Sequence, residues 1–401
     1  MTGASPADGA PPALAVLAEP VQLPPAPTAG SPPGAAGVAG RIGRLRERLA
    51  GAGADVLVVT TLANVRYLTG FSGSAGIVVV GPGAALVATD GRYRTQVAEQ
   101  VEAAGLAGAV EVVVGGAQDQ RRAVAAAAGG AGRRVGLEAD DVSWAAQRRW
   151  AELLAPAELV PTSGLVEGLR QVKDAGELDL MARAAAVADA ALADVLHLVA
   201  PGRSEQEVAL ALDSAMRRLG AEDRAFETIV ASGPNAAKPH ARPTERRLAR
   251  GDLVVVDFGA TVGGYRSDMT RTFAVGEAPG PELSAVWSLV ARAQAAGVAA
   301  VRPGAAAGDV DAACRDMIAD AGMAEAFEHG TGHGVGLDVH EAPSVSGGAT
   351  AILEPGVVVT VEPGVYLAGR GGVRIEDTVV VTDDGCRPLT RFPKEPVLPR
   401  T

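Results

Sequence analysis

The sequence predicts an α/β N-terminal domain followed by an α+β domain that contains an internal duplication. Two observations lead to this prediction. Short apolar runs alternate with helical patterns up to about residue 165, and the later part of the chain repeats itself at a fixed spacing. At 401 residues the chain is long enough for two or three domains with cores of their own. We expect boundaries that give the segments 1–36, 37–165 and 166–401.

The first segment has the composition of a disordered extension. Residues 1–36 are rich in Ala, Pro and Gly, and their only charged side chains are Asp8 and Glu19. A secretory signal needs a basic start and an unbroken apolar core, whereas prolines interrupt "PPALAVLAEPVQLPPAP". A segment of this kind buries too little apolar surface to offset the entropy of folding.

The second segment alternates strands and helices. In "RIGRLRERLA" the residues Ile42, Leu45 and Leu49 fall on one helical face, and "DVLVVT" follows as a strand. Further strands are predicted at "GIVVV", "ALVAT", "VEVVV" and "RRVGLE". Helices are predicted over 91–104, in the Ala-rich run before "RRVGLE", and around "WAAQRRW". Nothing in this segment looks catalytic by itself.

The third segment contains two copies of a helix-plus-hairpin unit. "PGRSEQEVALALDSAMRRLG" at 201–220 matches "PGAAAGDVDAACRDMIADAG" at 303–322, an offset of 102 residues. "GDLVVVDFG" matches "PGVVVTVEPG" at an offset of 105, and "SDMTRT" aligns with "IEDTVV" further on. Short matches that recur in the same order indicate a duplication. Each copy is expected to begin with a long helix, at about 176–199 and 281–301.

Each copy places two carboxylates on a predicted hairpin. The pairs are Asp257 with Asp268 and Glu362 with Glu376. These spacings suit hairpins that bring the two acids opposite each other on one face. A lone acid after a strand is more often a solvated turn residue, but four converging acids would repel one another unless a cation neutralised them. A divalent metal is the simplest such cation.

Three of the five histidines lie in the stretch "HGTGHGVGLDVHE", residues 329–341. From composition alone this stretch is a metal site, a loop of exposed imidazoles or a phosphate-binding loop. No window of it satisfies G-x-G-x-x-G, which argues against a dinucleotide loop. The chain has no H-E-x-x-H, and "GFSGSAG" lacks the pattern expected around a serine nucleophile.

Charge and composition exclude several kinds of partner. The formal net charge is −11 and there is no Lys- or Arg-rich run, which argues against nucleic acid and anionic membranes. No apolar run approaches the roughly 18 residues that span a bilayer. With only Cys314 and Cys386, no disulfide framework is implied, and we expect a cytoplasmic protein.

Several blocks of the sequence resemble the creatinase/aminopeptidase superfamily, which has the pita-bread fold. They are "ASGPNAAKPHARPTERRLARGDLVVVDFGATVGGYRSDMTRTF", "HGTGHGVGLDVHE", "VEPGVY" and "GGVRIEDTVVVT". Within that superfamily they are most similar to the Xaa-Pro peptidases, aminopeptidase P and prolidase. "NVRYLTGFSGSAG" and "ATDGRYRTQVAEQ" resemble the creatinase-type N-terminal domain. The resemblance implies a creatinase-type domain over 37–165 and a pita-bread metallopeptidase domain over 166–401.

The resemblance further implies a site with two divalent metal ions, usually Mn2+ or Co2+. Asp257 would bind one ion, His333 and Glu362 would bind the other, and Asp268 and Glu376 would bridge both. Mixed carboxylate and imidazole ligation favours Mn2+. A water shared by two metal ions has a lowered pKa, so it would supply hydroxide near neutral pH to attack the Xaa-Pro bond.

Catalytic roles follow from the same resemblance. Glu362 would be the general base for the attacking water. His240 would stabilise the tetrahedral intermediate or pass a proton to the leaving nitrogen. His340 would hydrogen-bond the region of the substrate carbonyl, and His329 matches a histidine associated with Xaa-Pro cleavage. Arg374 would orient a ligand carboxylate.

The resemblance leaves some alternatives open. The substrates would be proline-containing peptides, but the motifs do not separate a dipeptidase from an aminopeptidase. A creatinase-like, metal-independent amidinohydrolase and a non-catalytic binding protein share the fold, although the intact set of five ligands disfavours both. A homodimer or higher homo-oligomer is expected by analogy with the superfamily.

Overall fold

The computed structural model describes residues 35–394. Within them the chain forms two compact units, the first ending at Leu180 and the second beginning at Met181. Residues 1–34, nearly all of the predicted disordered extension, lie outside the described residues. Ala35 and Ala36 were assigned to that extension, but they belong to the first helix.

The first unit is an α/β structure, as the alternation of strands and helices predicts. Its helices are α1 (Ala35–Leu49), α2 (Leu62–Thr69), α3 (Arg94–Ala103), α4 (Ala117–Ala128), α5 (Trp144–Leu154) and α6 (Glu167–Arg170). Its strands are β1 (Val56–Val59), β2 (Ile77–Val80), β3 (Ala85–Thr89), β4 (Glu111–Val114), β5 (Arg134–Glu138) and β6 (Glu158–Thr162). They form one mixed sheet in the order β4-β3-β2-β1-β5-β6, with parallel pairing of β3 to β4, β1 to β5 and β5 to β6.

The core of this unit explains the apolar strands in the sequence. Val56 of β1 and Leu137 of β5 pack in one buried cluster with Val124 of α4 and Leu154 of α5. Strands buried on both faces read as continuous apolar runs rather than as alternating ones. Strand β6 was not predicted, because it contains Pro161. A proline is tolerated there since β6 lies at the edge of the sheet.

The second unit contains four long helices and thirteen short strands among the described residues. The helices are α7 (Ala175–Val195), whose first six residues precede the division at Met181, α8 (Glu205–Arg218), α9 (Pro281–Ala300) and α10 (Ala307–Asp320). The strands are β7 (Asp223–Arg224), β8 (Ile229–Ser232), β9 (Leu253–Phe258), β10 (Ala260–Val262), β11 (Tyr265–Arg266), β12 (Met269–Ala274), β13 (Gly332–Gly334), β14 (Glu341–Val345), β15 (Val358–Val361), β16 (Gly364–Leu367), β17 (Gly371–Arg374), β18 (Asp377–Val381) and β19 (Cys386–Pro388).

The duplication seen in the sequence is present in the fold. Helices α8 and α10 have 14 residues each and begin 102 residues apart. Strands β9 and β15 begin 105 residues apart. In the first copy β9 lies between β8 and β12, and in the second copy β15 lies between β13 and β18. This is the α+β architecture with internal pseudo-symmetry that the sequence predicts.

The strand register of the first hairpin differs slightly from the expectation that Asp257 and Asp268 lie opposite each other. Thr270 of β12 pairs with Asp257 of β9, so Thr270 rather than Asp268 lies opposite that acid. The small hairpin of β10 and β11 takes up part of the connection. Asp268 lies two residues before Thr270. Because side chains alternate along a strand, it still lies on the same face as Asp257.

The two hairpins meet at the ends that carry the acids. In the second copy Val361 pairs with Asp377, which leaves Glu362 and Glu376 adjacent just beyond the paired residues. The Glu376 amide donates to the Thr270 carbonyl of the first copy at 3.1 Å. The junction between the copies is therefore the place where all four acids lie.

Helix α9 is an apolar helix whose sequence alone does not distinguish a membrane span from a core helix. Its length and composition alone would allow it to cross a membrane. The expectation from the sequence was that no apolar run is long enough to do so. A core helix passes the same test. Val286, Leu289 and Val290 of α9 are buried in the main apolar cluster with Val359 of β15 and Val379 of β18.

A buried ion pair joins the two copies, and its loss should destabilise the second unit. Arg271 of β12 is 1% exposed, and it donates to Asp377 of β18 at 2.9 Å and to the Phe392 carbonyl at 2.6 Å. Arg271→Ala leaves Asp377 buried with one fewer cation, so we expect it to lower the free energy of unfolding by about 3–5 kcal/mol. Urea denaturation measures this loss. The control is exposed Arg391→Ala, expected within about 0.5 kcal/mol of the parent protein. A loss below about 1 kcal/mol for Arg271→Ala would contradict the assignment.

Candidate metal centre

Three carboxylates converge where the hairpins meet. One oxygen from each of Asp257, Asp268 and Glu376 lies within 4.8 Å of the others. Asp268 is 5% exposed and Glu376 is 1% exposed. At an effective dielectric constant near 20, two unit charges about 5 Å apart repel by about 3 kcal/mol. Such a cluster needs a positive charge among its oxygens.

His333 and Glu362 complete the set of five predicted metal ligands. The Nε2 atom of His333 lies 3.3 Å from a Glu362 oxygen and 3.7 Å from an Asp268 oxygen. The Nδ1 atom lies 3.0 Å from the Gly334 carbonyl. When Nδ1 carries the proton and donates to that carbonyl, the lone pair of Nε2 faces the acids, which is the tautomer that binds a metal.

Two buried oxygen atoms support the presence of a cation. Asp257 Oδ1 and Glu376 Oε1 have no hydrogen-bond partner among the described residues, although both are fully buried. An unsatisfied buried polar atom is costly, and more so when it is charged. Four carboxylates and one imidazole are hard and borderline ligands that suit a divalent ion such as Mn2+. The residues present therefore fit a divalent metal site.

The electrostatics of the metal-free cluster follow from burial and repulsion. Burial, together with the charges of Glu376, Asp257 and Glu362, holds the pKa of Asp268 well above its usual range. Burial and the neighbouring acids also raise the pKa of Glu376 strongly. Burial raises the pKa of Asp257 as well, against the opposing charge of Arg374.

The pair formed by His333 and Glu362 behaves differently. Burial alone would raise the pKa of Glu362, but the hydrogen bond and positive charge of His333 outweigh it and lower that pKa. Burial would lower the pKa of His333, but Glu362 outweighs it in turn and raises it. A positive charge on this imidazole is thus stabilised inside the cluster.

Arg374 of β17 links the acids to the histidine stretch. Its Nη2 donates to Asp257 Oδ2 at 2.6 Å, and its Nη1 donates to the Tyr366 hydroxyl at 2.7 Å. The Tyr366 hydroxyl lies 2.8 Å from Nε2 of His329. The sequence prediction that Arg374 contacts a predicted ligand carboxylate agrees with this geometry, and the acid it contacts is Asp257.

Tyr366 is the one member of this chain of contacts that the sequence analysis missed. Burial raises its pKa to about 12, so it stays a neutral hydroxyl between Arg374 and His329. The signal that might have found it is "GVYL", an apolar strand of the duplicated hairpin that contains a single hydroxyl. Its partner residue depends on the register in which Tyr366 pairs with Gly372, and that register is not readable from the sequence.

The predicted catalytic histidines surround the same cavity, whose volume is about 720 Å³. The rings of His340 and His333 meet edge to face with centroids 4.4 Å apart. The ring of His329 packs edge to face on Phe327. His240 lines the cavity from the loop after β8 and is exposed. Burial lowers the pKa of both His329 and His340, so both are neutral near pH 7.

The glycines between the histidines allow close backbone contact. A Cβ on Gly332 would lie 2.1 Å from the Thr360 carbonyl oxygen, a distance that no side chain permits. The neighbouring amide of His333 donates to the Thr360 hydroxyl at 3.0 Å, and that hydroxyl donates to Glu362 at 3.1 Å. Glycine at 332 therefore lets the strand that carries His333 lie directly beside the strand that leads to Glu362.

A duplicated pita-bread fold with a buried cluster of four acids and one histidine defines a metal-dependent hydrolase. The chain belongs to metallopeptidase family M24, whose family model matches residues 179–383. A second model, the creatinase/prolidase N-terminal domain, matches residues 41–172. Membership of this family implies divalent metal ions and peptide substrates.

Relatives along nearly the whole chain agree with this assignment. An uncharacterized peptidase, YqhT of Bacillus subtilis, is 41% identical over 358 residues, which are 89% of this chain and 99% of the relative. The structure of an Xaa-Pro dipeptidase from Bacillus anthracis superposes with a TM-score of 0.84 at 39% identity, covering 90% of this chain and 99% of that one. An X-Pro aminopeptidase from Thermotoga maritima gives a TM-score of 0.80 at 32% identity, covering 89% and 99%.

The raised carboxyl pKa values predict how the metal-free protein responds to pH. Unfolded carboxyl groups titrate near pH 4, whereas Asp268 and Glu376 titrate well above that when folded. Between those pH values the folded state binds more protons, so the free energy of unfolding falls as pH rises. The raised pKa of His333 acts in the same direction, whereas the lowered pKa values of His329 and His340 oppose it. We expect protein treated with chelator to have a lower Tm at pH 8 than at pH 6.

The matched variant for this experiment is Asp268→Asn. It removes one titrating group and part of the repulsion on Glu376, so it should flatten the dependence of Tm on pH. Added divalent metal should reverse the trend, because metal binding needs deprotonated ligands. A Tm in chelator that is the same at pH 6 and pH 8 would contradict the account of the cluster.

Proposed function

We propose that this metallopeptidase hydrolyses Xaa-Pro peptide bonds. The observation that carries the proposal is the buried acid cluster with unsatisfied oxygens, which adjoins a cavity lined by His240, His329 and His340. Two structurally similar proteins, the dipeptidase of Bacillus anthracis and the aminopeptidase of Thermotoga maritima, carry names that specify Xaa-Pro or X-Pro substrates.

In this proposal five side chains hold two divalent ions, with Mn2+ favoured and Co2+ as the alternative. The ligands are Asp257, Asp268, His333, Glu362 and Glu376. When bound, the ions would polarise the scissile carbonyl and lower the pKa of the water that attacks it. The unsatisfied oxygens of Asp257 and Glu376 support this set, as does the contact of His333 Nδ1 with the Gly334 carbonyl, which leaves Nε2 facing the acids.

The protein's own groups supply the proton transfers and the orientation. Glu362 has a lowered pKa, so it is ionised and accepts a proton from the attacking water. His240 and His340 lie at the cavity wall, where they stabilise the tetrahedral intermediate and hydrogen-bond the substrate carbonyl region. Arg374 holds Asp257 in place with a hydrogen bond of 2.6 Å.

The proposed recognition of proline involves His329, which lines the cavity. The Xaa-Pro bond is a tertiary amide without an N–H, so an enzyme cannot bind it by accepting a hydrogen bond from that nitrogen. His329 is neutral, and its Nε2 and Nδ1 atoms are engaged by Tyr366 and the Gly330 carbonyl. In this proposal the ring of His329, held in a fixed orientation, packs against the pyrrolidine ring of the substrate.

Further features of the proposal concern the whole protein. We propose a cytoplasmic protein, in line with the two free cysteines, Cys314 and Cys386, and a homo-oligomer by analogy with the superfamily. A domain boundary near residue 165 also remains a prediction.

Removal of metal tests the proposed mechanism directly. Protein stripped with chelator should lose hydrolysis of an Xaa-Pro dipeptide, and Mn2+ should restore it. His333→Ala and Glu376→Ala should each lower the metal content and reduce activity by at least about 1,000-fold, because each removes a ligand. His240→Ala should reduce activity while metal content, measured by elemental analysis, stays normal. Full hydrolysis of the Xaa-Pro dipeptide in chelator would contradict the metal-dependent mechanism, whereas hydrolysis of creatine without metal would favour the amidinohydrolase alternative.

Substrate length separates a dipeptidase from an aminopeptidase. The measurement compares kcat/KM for an Xaa-Pro dipeptide and for an Xaa-Pro-Yaa tripeptide with the same first residue, both with Mn2+. A cavity of about 720 Å³ is large enough for the shorter substrate, and we expect the dipeptide to be cleaved. A matched Xaa-Ala dipeptide is the control for proline specificity. Equal rates for Xaa-Ala and Xaa-Pro would rule out the proposed specificity.

A further inference from the structure

The position of His240 depends on its loop. His240 is exposed in the cavity and lies between β8 and β9. Within residues 35–394 no group hydrogen-bonds its imidazole. His329 and His333, by contrast, are each held by at least one hydrogen bond to a ring nitrogen. The backbone on either side of His240 must therefore fix where this ring lies.

One buried carboxylate holds both ends of that loop. Glu205, the first residue of α8, is 0% exposed. It accepts hydrogen bonds from the amide and the hydroxyl of Ser232, both at 2.7 Å, where the loop begins. It also accepts from the amide of Thr244 at 3.0 Å and from its hydroxyl at 2.6 Å, where the loop turns back. The Asn235 side chain donates to the same carboxylate at 3.1 Å.

The middle of the loop is tied to the metal centre. Nη1 of Arg374 donates to the carbonyl of Pro239, the residue before His240, at 3.1 Å. The same guanidinium holds Asp257. His240 is thus carried by a short span whose two ends are fixed by Glu205 and whose centre is fixed by Arg374.

The second copy of the repeat uses its equivalent helix in a related way. Asp311 of α10 is buried and accepts from the amide of Thr331 at 3.0 Å and from its hydroxyl at 2.9 Å. Arg315 of the same helix donates to the His329 carbonyl at 2.7 Å. In both copies the second helix fixes the histidine-bearing loop of its own copy, although the acids occupy different turns of the two helices.

We propose that Glu205 is a positioning residue that acts on catalysis through His240. The inference rests on the proposed function, since it assigns His240 a role at the substrate. An ionised carboxylate has only acceptor sites and therefore suits five converging donor groups. A glutamine at this position has one acceptor oxygen and an NH2 group that would face donors from Ser232 or Thr244. The loop would then shift, and a displacement of about 1 Å is enough to cost about 100-fold in rate.

A double-mutant cycle tests the inference. Glu205→Gln should lower kcat and kcat/KM for an Xaa-Pro dipeptide by about 10- to 100-fold with unchanged metal content. His240→Ala should lower them further. Glu205→Gln added to His240→Ala should have little additional effect, because both changes remove the same contribution. The control is Glu207→Gln, the same change on the same helix at an exposed residue that bonds only to Ser204, and it should stay within about twofold of the parent.

Hydrogen exchange provides a readout that does not need activity. The amides of Ser232 and Thr244 donate to Glu205, so they should exchange faster in Glu205→Gln, while the amides of β9 and β12 stay protected. Thr244→Val keeps one of its two donors to Glu205 and should give a smaller change in the same direction. This variant answers the question if Glu205→Gln does not fold.

The outcomes separate the inference from the proposed function. The positioning role would be overturned if the activity losses of Glu205→Gln and His240→Ala multiply in the double variant. It would also be overturned if the amides of Ser232 and Thr244 exchange in Glu205→Gln at the same rate as in the parent protein. If the parent protein with Mn2+ fails to cleave Xaa-Pro substrates, the proposed function is wrong. The hydrogen-exchange experiment still tests whether Glu205 holds the loop, because it does not depend on activity.

Discussion

The repulsion among four carboxylates, two buried and two partly buried, is the constraint on which the second unit depends. Two of the carboxylates, those of Asp268 and Glu376, have strongly raised pKa values in the metal-free protein, so the fold holds them together against a considerable cost. The strands must therefore be rigid enough to keep the acids in place before any cation neutralises them. The registered hairpins and the buried Arg271–Asp377 pair behind them provide that rigidity.

Duplication is an economical way to build such a site. A single hairpin carries two acids on one face, and two hairpins related by an internal repeat bring four acids to one junction. Each copy also contributes a histidine-bearing loop beside its hairpin, so His240 and His329 approach the cavity from the two copies. The Glu376 amide that donates to Thr270 ties these copies together at the site itself. The chemistry thus lies at the interface of the repeats.

The sequence singles out the four acids because the duplication repeats their context, and the structure brings Asp257, Asp268 and Glu376 together. Asp257 and Glu362 both end apolar strands, and the matching offsets identify them without any knowledge of the fold. His333 was chosen from three neighbouring histidines by resemblance alone, since spacing does not say which ring faces the acids. The exact partner of Asp257 was missed because the inserted hairpin of β10 and β11 changes the register.

Contacts that join distant segments were not predictable from local patterns. Tyr366 becomes important only because the pairing of β16 with β17 brings its hydroxyl to Arg374 and His329. Glu205 looks in the sequence like an ordinary acid at a helix start, where the helix dipole favours it. Its five donors come from a loop about 30 residues away, and no periodicity encodes that distance.

The electrostatics of His333 indicate what kind of ligand the site is built to bind. Glu362 raises the pKa of this imidazole in spite of its burial, so a positive charge is favoured beside that acid. The Nδ1 contact with Gly334 leaves Nε2 as the atom that faces Glu362 and Asp268. Burial and mutual repulsion raise the pKa values of Asp268 and Glu376, so the cluster resists carrying four negative charges without cations. Divalent ions would supply more positive charge than one proton does, and the buried oxygens of Asp257 and Glu376 that lack hydrogen-bond partners among the described residues would serve as ligand atoms for them.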